Sequence, residues 1–182
     1  MKFKISFDEN SYNKQMDLLF DIAWQRKKDY YKNSQYLGIV LIVVGILLIL
    51  KRPNIFGIGY MFLFFGLSNF MPFVYYFFKI KKEYKKLNNA KIEEIEILKQ
   101  YQDVSLELNE EALIITAEGS SKRINWDEFI TWVVKEDNLI IITKDYVPYI
   151  LGIDEVGSGH FEDITSFVKT KVNTKVQSSK SL

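Results

Sequence analysis

Two long apolar runs separated by four turn-forming residues constrain this chain more than any other feature. The first, beginning at Tyr36, reads YLGIVLIVVGILLIL; KRPN follows; the second, ending at Ile80, reads IFGIGYMFLFFGLSNFMPFVYYFFKI. A helix needs about 20 apolar residues to cross ~30 Å of hydrocarbon. The second run is long enough unaided. The first falls about one helical turn short, and reaches full length by extension through Ser34 and Gln35 and forward to Lys51 and Arg52, whose cations snorkel to the interface. The spacing therefore predicts a transmembrane helical hairpin over residues 34–80, with spans at about 34–52 and 55–78. The alternative, a buried hairpin of a soluble protein, fits poorly: no charge interrupts either run, and a core helix of a soluble protein normally keeps a polar face. A cleaved signal peptide fits no better, since the apolar run begins far from Met1 and no small-residue cleavage pattern follows it.

Flanking charge orients the hairpin. Arg26, Lys27, Lys28 and Lys32 precede the first span; Lys79, Lys81, Lys82, Lys85 and Lys86 follow the second; the turn has only Lys51 and Arg52. By the positive-inside rule both termini are expected in the cytoplasm, with KRPN outside. Tyr30, Tyr31, Tyr36, Tyr75 and Tyr76 suit an interfacial aromatic belt. Gly38 and Gly45 lie seven residues apart, as do Gly59 and Gly66, so each pair shares one helix face. Folding the chain at Pro53 sets Gly45 level with Gly59 and Gly38 level with Gly66. Small residues let helix backbones approach in lipid, and these four glycines are the expected packing contact of the hairpin. No GxxxG is present, so a glycophorin-like dimer is not indicated. Asn69, beside Ser68, is the most polar residue deep in a span; it falls level with Tyr36, where a structural hydrogen bond or hydration accounts for it. Pro72 is placed to kink the second span.

The mean hydropathy of −0.05 averages this middle with polar flanks. Charge is divided too. Up to Ala90 there are 14 Lys and Arg against 6 Asp and Glu, a net +8; from Lys91 on there are 10 against 17, a net −7. The absence of cysteine excludes disulfides, thiolate metal sites and cysteine nucleophiles.

The arm over residues 1–33 begins with Phe3, Ile5 and Phe7 alternating with polar residues, a short strand able to add to the edge of a later sheet. Asp8 or Asn10 then caps a helix whose stripe of Tyr12, Met16, Leu19 or Phe20 and Ala23 is expected under the C-terminal domain and which continues into the first span. Residues 92–101 are ambiguous, with strand favoured for their second half. Beyond them alternation predicts strands at 104–108, 113–118, 122–126, 129–135, 139–143 and 146–153, with turns at Asn109–Glu110–Glu111, Gly119–Ser120–Ser121 and Glu136–Asp137–Asn138. Pro148 confines the last strand to an edge or bulge. Phe161, Ile164, Val168 and Val172 then recur at helical spacing, with Ser158 or Gly159 as N-cap and Glu162 and Asp163 in the first turn. Strands followed by one amphipathic helix are an α+β order. A curved antiparallel sheet over residues 91–172 capped by that helix is the pleckstrin-homology-like plan, with residues 173–182 as a disordered tail.

These features together resemble the YcxB-like family of bacterial membrane proteins: a two-span hairpin, then an acidic sheet domain containing NEEALIIT, SSKRINWDEFITWVV, LIIITKDYVPYIL and a closing Phe-bearing helix, with Trp126 and Asp127 at the family's Trp position. One departure is plain. The family carries basic residues after the proline of its last strand, whereas Pro148 is followed here by Tyr149, Ile150 and Leu151. The resemblance implies no enzymatic activity and no established ligand.

Residue chemistry points the same way. His160 is the only histidine, so no histidine cluster can hold a metal; its place at a helix start suits a surface or capping role. The carboxylate pairs Glu93–Glu94, Glu110–Glu111 and Asp127–Glu128 fall at turns or on polar faces, and acid–base work would require burial of one of them. No phosphate-binding glycine motif occurs outside the span. Lys122 and Arg123 are the only adjacent basic pair of the acidic domain, which disfavours anionic lipid headgroups and nucleic acid as ligands. No catalytic residue, cofactor, metal or small-molecule substrate is expected. The expected partners are the bilayer itself and a protein or second copy docked on the acidic domain, making the chain a non-enzymatic membrane-anchored interaction module. A second function class is self-immunity against a membrane-active peptide toxin, which small basic hairpins with sheet domains suit.

Overall fold

The computed structural model describes residues 1–51, 56–100, 104–117 and 120–176. The element order is β1 (Lys2–Ile5), α1 (Glu9–Lys51), α2 (Phe56–Leu98), β2 (Val104–Leu108), β3 (Ala112–Ala117), β4 (Ser120–Asn125), a 3-10 turn (Trp126–Glu128), β5 (Phe129–Lys135), β6 (Asn138–Thr143), β7 (Pro148–Gly152), α3 (Ile153–Val156) and α4 (Ser158–Val176). The layout is α+β. Chain contacts divide it into a sheet unit, Met1–Leu19 with Lys91–Leu182, and a hairpin unit, Phe20–Ala90. The division falls within both long helices.

In the hairpin unit α1 and α2 pack side by side. Among the described residues of 34–80, the buried ones are Ser34, Gly38, Gly45, Gly59, Gly66 and Ile80. Leu37, Val40, Leu47, Phe64, Phe65 and Leu67 all point outward. Both helices are long and apolar enough to cross a membrane, and only 17% and 6% of their most apolar windows are buried. A core helix of a soluble protein shows the reverse. Tyr30 meets Tyr76 edge-on at 6.1 Å and Tyr31 meets Phe73 at 5.6 Å, joining the two helices through their aromatic ends. Helix α2 runs through Pro72 without interruption. The residues Arg52, Pro53 and Asn54 of the expected turn lie outside the described residues.

The sheet unit differs from the expected single curved sheet. Among the described residues, seven strands form two antiparallel sheets, ordered β1-β2-β3-β4 and β5-β6-β7. The break comes at Trp126. The expected strand over 122–126 ends at Asn125, whose backbone N–H donates to the Glu128 carboxylate at 3.0 Å, while the Trp126 indole N–H donates to the Asn109 carbonyl at 2.9 Å. That pair of bonds turns the chain into a 3-10 corner and sends β5 into a new sheet. The N-terminal strand joins the first sheet as its edge, with Phe3 opposite Leu106 and Ile5 opposite Val104. Pro148 starts β7, an edge strand of the second sheet, where its missing N–H costs no ladder bond.

Helix α4 closes the unit on Phe161, Ile164, Val168 and Val172, all buried against Leu106, Leu108, Trp126, Phe129, Leu139 and Ile141. Fully burying an aliphatic side chain of this size contributes about 1.5–3 kcal/mol.

Several local expectations are corrected. Helix α2 continues to Leu98, so the strand favoured for the second half of 92–101 is helical there; the Lys99 and Gln100 N–H groups close its end on Ile95 and Ile97, and Tyr101 lies outside the described residues. The reason is continuity: each added residue of an existing helix gains a backbone bond without a new nucleus, which outweighs the strand preference of its isoleucines. The turn expected at Gly119–Ser120–Ser121 falls otherwise, since Ser120 and Ser121 already pair within β4 opposite Ala117 and Thr116; Glu118 and Gly119 lie outside the described residues. Asn138 belongs to β6, leaving a two-residue turn of Glu136 and Asp137, both left-handed at φ 50° and 58°. That is the backbone twist which two-residue hairpins require. The last strand starts at Pro148 rather than Tyr146 and gives way to α3 at Ile153. Helix α4 begins at Ser158, so neither Ser158 nor Gly159 caps it and Glu162 and Asp163 lie beyond its first turn. Gly157, at φ 82°, ends α3 and precedes α4, a conformation glycine adopts without a Cβ penalty. Helix α4 extends to Val176, past residue 172; residues 177–182 lie outside the described residues.

Candidate functional site

The structure brings the four hairpin glycines together in two pairs. A Cβ on Gly38 would lie 2.9 Å from the Gly66 carbonyl oxygen, and one on Gly45 would lie 2.9 Å from the Gly59 carbonyl oxygen; the reciprocal distances from Gly66 and Gly59 are 3.0 and 3.1 Å. The 2.9 Å distances are shorter than real Cβ atoms show and the 3.0 and 3.1 Å ones are tighter than most, so each helix presents its main chain directly to the other. Such close approach increases van der Waals contact and is the way helices associate where no hydrophobic drive exists. At the same seam the buried Ser34 hydroxyl donates to the Asn69 carbonyl, and the Asn69 side-chain amide donates to the Phe65 carbonyl of its own helix at 2.9 Å. Asn69 is thus used structurally.

In the sheet unit, the start of α1 is tied to the end of α2 by side chains. Lys99 pairs with Glu9 at 2.7 Å, the Tyr12 hydroxyl donates to Glu94, and Lys91, buried, pairs with Asp17 at 2.6 Å. Burial, followed by the Glu94 hydrogen bond and charge, pushes the Tyr12 phenol well above its ordinary range. Asp8 caps α1: its carboxylate accepts from the Ser11 N–H at 2.7 Å, and that bond holds its pKa below the ordinary value. The buried side of α1 in this unit is Gln15 and Leu18 rather than the expected Met16.

Asp8, Tyr12 and Gln15 border an apolar cavity of the unit, about 220 Å³. Its walls come from Leu106 and Leu113 of the first sheet, Leu139 and Ile141 of the second, Leu98 of α2 and Ile164 of α4. Tyr12, Gln15, Asp8, Tyr149 and Glu155 are its polar lining residues. Nothing in the sequence marked this space, because its described lining is contributed by nine elements spread along the chain.

The other candidate residues are dispersed. His160 is exposed, with Nδ1 3.1 Å from the Val156 carbonyl oxygen and its ring 5.3 Å from that of Phe3. Exposed Glu110 pairs with half-buried Lys171, and Glu111 pairs with Arg123 at 2.5 Å, both exposed. Asp127 is exposed, and Glu128 borders a surface cleft with Lys122, Lys144 and Tyr149 while its carboxylate holds the Asn125 N–H. No group of three or more metal-ligating side chains occurs among the described residues. No family model, curated protein or solved structure matches the chain.

Proposed function

We propose that the chain is a non-enzymatic interaction module held in a bacterial membrane by the α1–α2 hairpin. The observation that carries this reading is the inverted packing of residues 34–80: small residues are buried and large apolar ones face out, the arrangement that suits hydrocarbon as solvent. The hairpin unit has 11 Lys and Arg against 3 Asp and Glu, a net +8, whereas the sheet unit has 13 against 20, a net −7. Positive charge beside the spans favours their inner ends at an anionic cytoplasmic leaflet by roughly 1 kcal/mol per residue. Both termini and the whole sheet unit then face the cytoplasm. Two small antiparallel sheets closed by one helix are in keeping with a pleckstrin-homology-like plan and with membership of the YcxB-like family. An acidic surface on such a domain favours a basic protein partner or a second copy over anionic lipid.

Orientation is tested by single cysteines in a chain that has none. In intact cells, an impermeant thiol reagent labels Asn54→Cys and leaves Ser178→Cys unlabelled until lysis. The reverse pattern removes the orientation, and protection of both sites before lysis removes the two-span reading. Cross-linking in native membranes with identification by mass spectrometry tests the module: a reproducible partner or dimer is expected, and monomer alone refutes it.

A further inference from the structure

The apolar cavity of the sheet unit has no part in that reading, and its chemistry is specific enough to name an occupant. We infer that it binds a small cationic amphiphile: one apolar chain lying between the two sheets, with an ammonium head at the Gln15–Glu155 pair, and Asp8 the second carboxylate of the lining. Every described lining residue belongs to the sheet unit. An engineered cavity of about 150 Å³ lined by Leu, Ile and Phe stays dry and takes up benzene, so 220 Å³ accommodates a longer apolar group.

The head is assigned by charge and by hydrogen-bond accounting. The only ionised groups among the described lining residues are the carboxylates of Asp8 and Glu155; no Lys, Arg or His lines the space. Each carboxylate has about four acceptor positions. The structure uses Asp8 for the Ser11 N–H, the Ser11 side chain and the Asn10 N–H, which takes up most of its acceptor positions, whereas Glu155 is used through Oε2, for the Gln15 amide at 2.7 Å and the Gly152 N–H at 2.6 Å. Acceptor capacity is therefore left over. Gln15, almost fully buried, gives its N–H to Glu155, which leaves its amide oxygen as a further acceptor. A site rich in acceptors calls for a donor, and an ammonium offers three N–H groups with the matching charge. A carboxylate or phosphate head would meet two like charges inside the space, while the cation nearest them, Lys14, lines the neighbouring cleft on the other side of Gln15 and Glu155. The occupant is a ligand, and no covalent step on it is implied.

The test uses the full chain in lipid nanodiscs with 13C-labelled Leu and Ile methyl groups. Three water-soluble probes share one chain length and differ in head: n-hexylamine, n-hexanol and n-hexanoate. Saturable shifts are expected at Leu106, Leu113, Leu139 and Ile141. Hexylamine should bind roughly tenfold more tightly than hexanoate, as expected for one charge-assisted hydrogen bond, with hexanol between them. Glu155→Gln keeps an acceptor for Gln15 and Gly152 and should remove most of the amine preference while hexanol still binds. Ile115→Phe, which fills the space, should abolish the shifts for all three. Equal or tighter binding of hexanoate overturns the head-group assignment. The absence of saturable shifts in the unmodified chain overturns the cavity as a site. Should Ile115→Phe lose the dispersed methyl spectrum of a folded domain, the Glu155→Gln comparison decides alone, and an unchanged amine preference there refutes the proposal.

Discussion

The hairpin unit and the sheet unit bury opposite things. Between α1 and α2 the buried residues are four glycines, a serine and, at one end, Ile80, and leucines and phenylalanines cover the outside. In the sheet unit Leu108, Leu139, Ile140, Ile164 and Val168 are fully buried, and charge covers the outside. The same amino acids are thus used with reversed logic within one chain. In water, apolar area removed from solvent drives packing at about 25 cal/mol per Å². In hydrocarbon a leucine gains nothing by leaving the surface, and contact is won only where backbones approach. Each unit is legible only against its own solvent.

The sharpest break of this comparison is one substitution made twice. Leu139→Ala in the sheet unit should cost about 2–5 kcal/mol, as cavity-forming changes do. Leu47→Ala, on an outward face of α1, should cost under about 0.5 kcal/mol in a bilayer mimetic. Unfolding of the full chain in nanodiscs, followed by tryptophan fluorescence, reads the first; the helical content of the hairpin against denaturant reads the second. Equal costs would dissolve the contrast.

Glycines give the next largest effect. Gly45→Val drives a side chain into the Gly59 carbonyl and should destabilise the hairpin by about 1–3 kcal/mol. Gly57, with open space around its would-be Cβ, should accept alanine with no loss and a gain of up to about 1 kcal/mol in helix propensity. A disulfide between cysteines introduced across the seam should form more slowly in the first variant and unchanged in the second. Within the sheet unit, Glu136→Asn with Asp137→Gly places residues suited to φ > 0 in the β5–β6 turn and should stabilise by about 1 kcal/mol, read as a higher midpoint of unfolding; the hairpin unit should not respond.

The smallest effect is pH-dependent. Asp8 has its pKa held below the ordinary 3.8 by the Ser11 N–H. Its capping contribution is therefore complete above that ordinary value and is lost as pH falls through the lowered one. Acid titration of the sheet unit should show a slight extra loss of stability below pH 3.8 that Asp8→Ala abolishes. A loss that persists in the variant assigns it to other carboxylates.

Local periodicity carried a large part of the architecture. Uninterrupted apolar runs gave the hairpin helices, alternation gave the strands, and three-four-four spacing gave the buried face of α4, because each of these depends on residues within one or two turns of each other. The seven-residue interval of the glycines was equally visible. What the sequence could not supply was anything set by contact between distant segments. The splitting of one sheet into two depends on the Trp126 indole reaching Asn109, a bond no alternation pattern announces. The helical end of α2 through Leu98 was decided by continuity with the turns before it and by the Lys91–Asp17 and Lys99–Glu9 pairs, against the strand preference of Ile95 and Ile97. The acceptor-lined cavity belongs wholly to tertiary structure: two carboxylates from opposite ends of the chain and apolar residues from both sheets share one space only after the chain has folded around it, since the entropy of bringing such segments together is met by the whole core and by no local run.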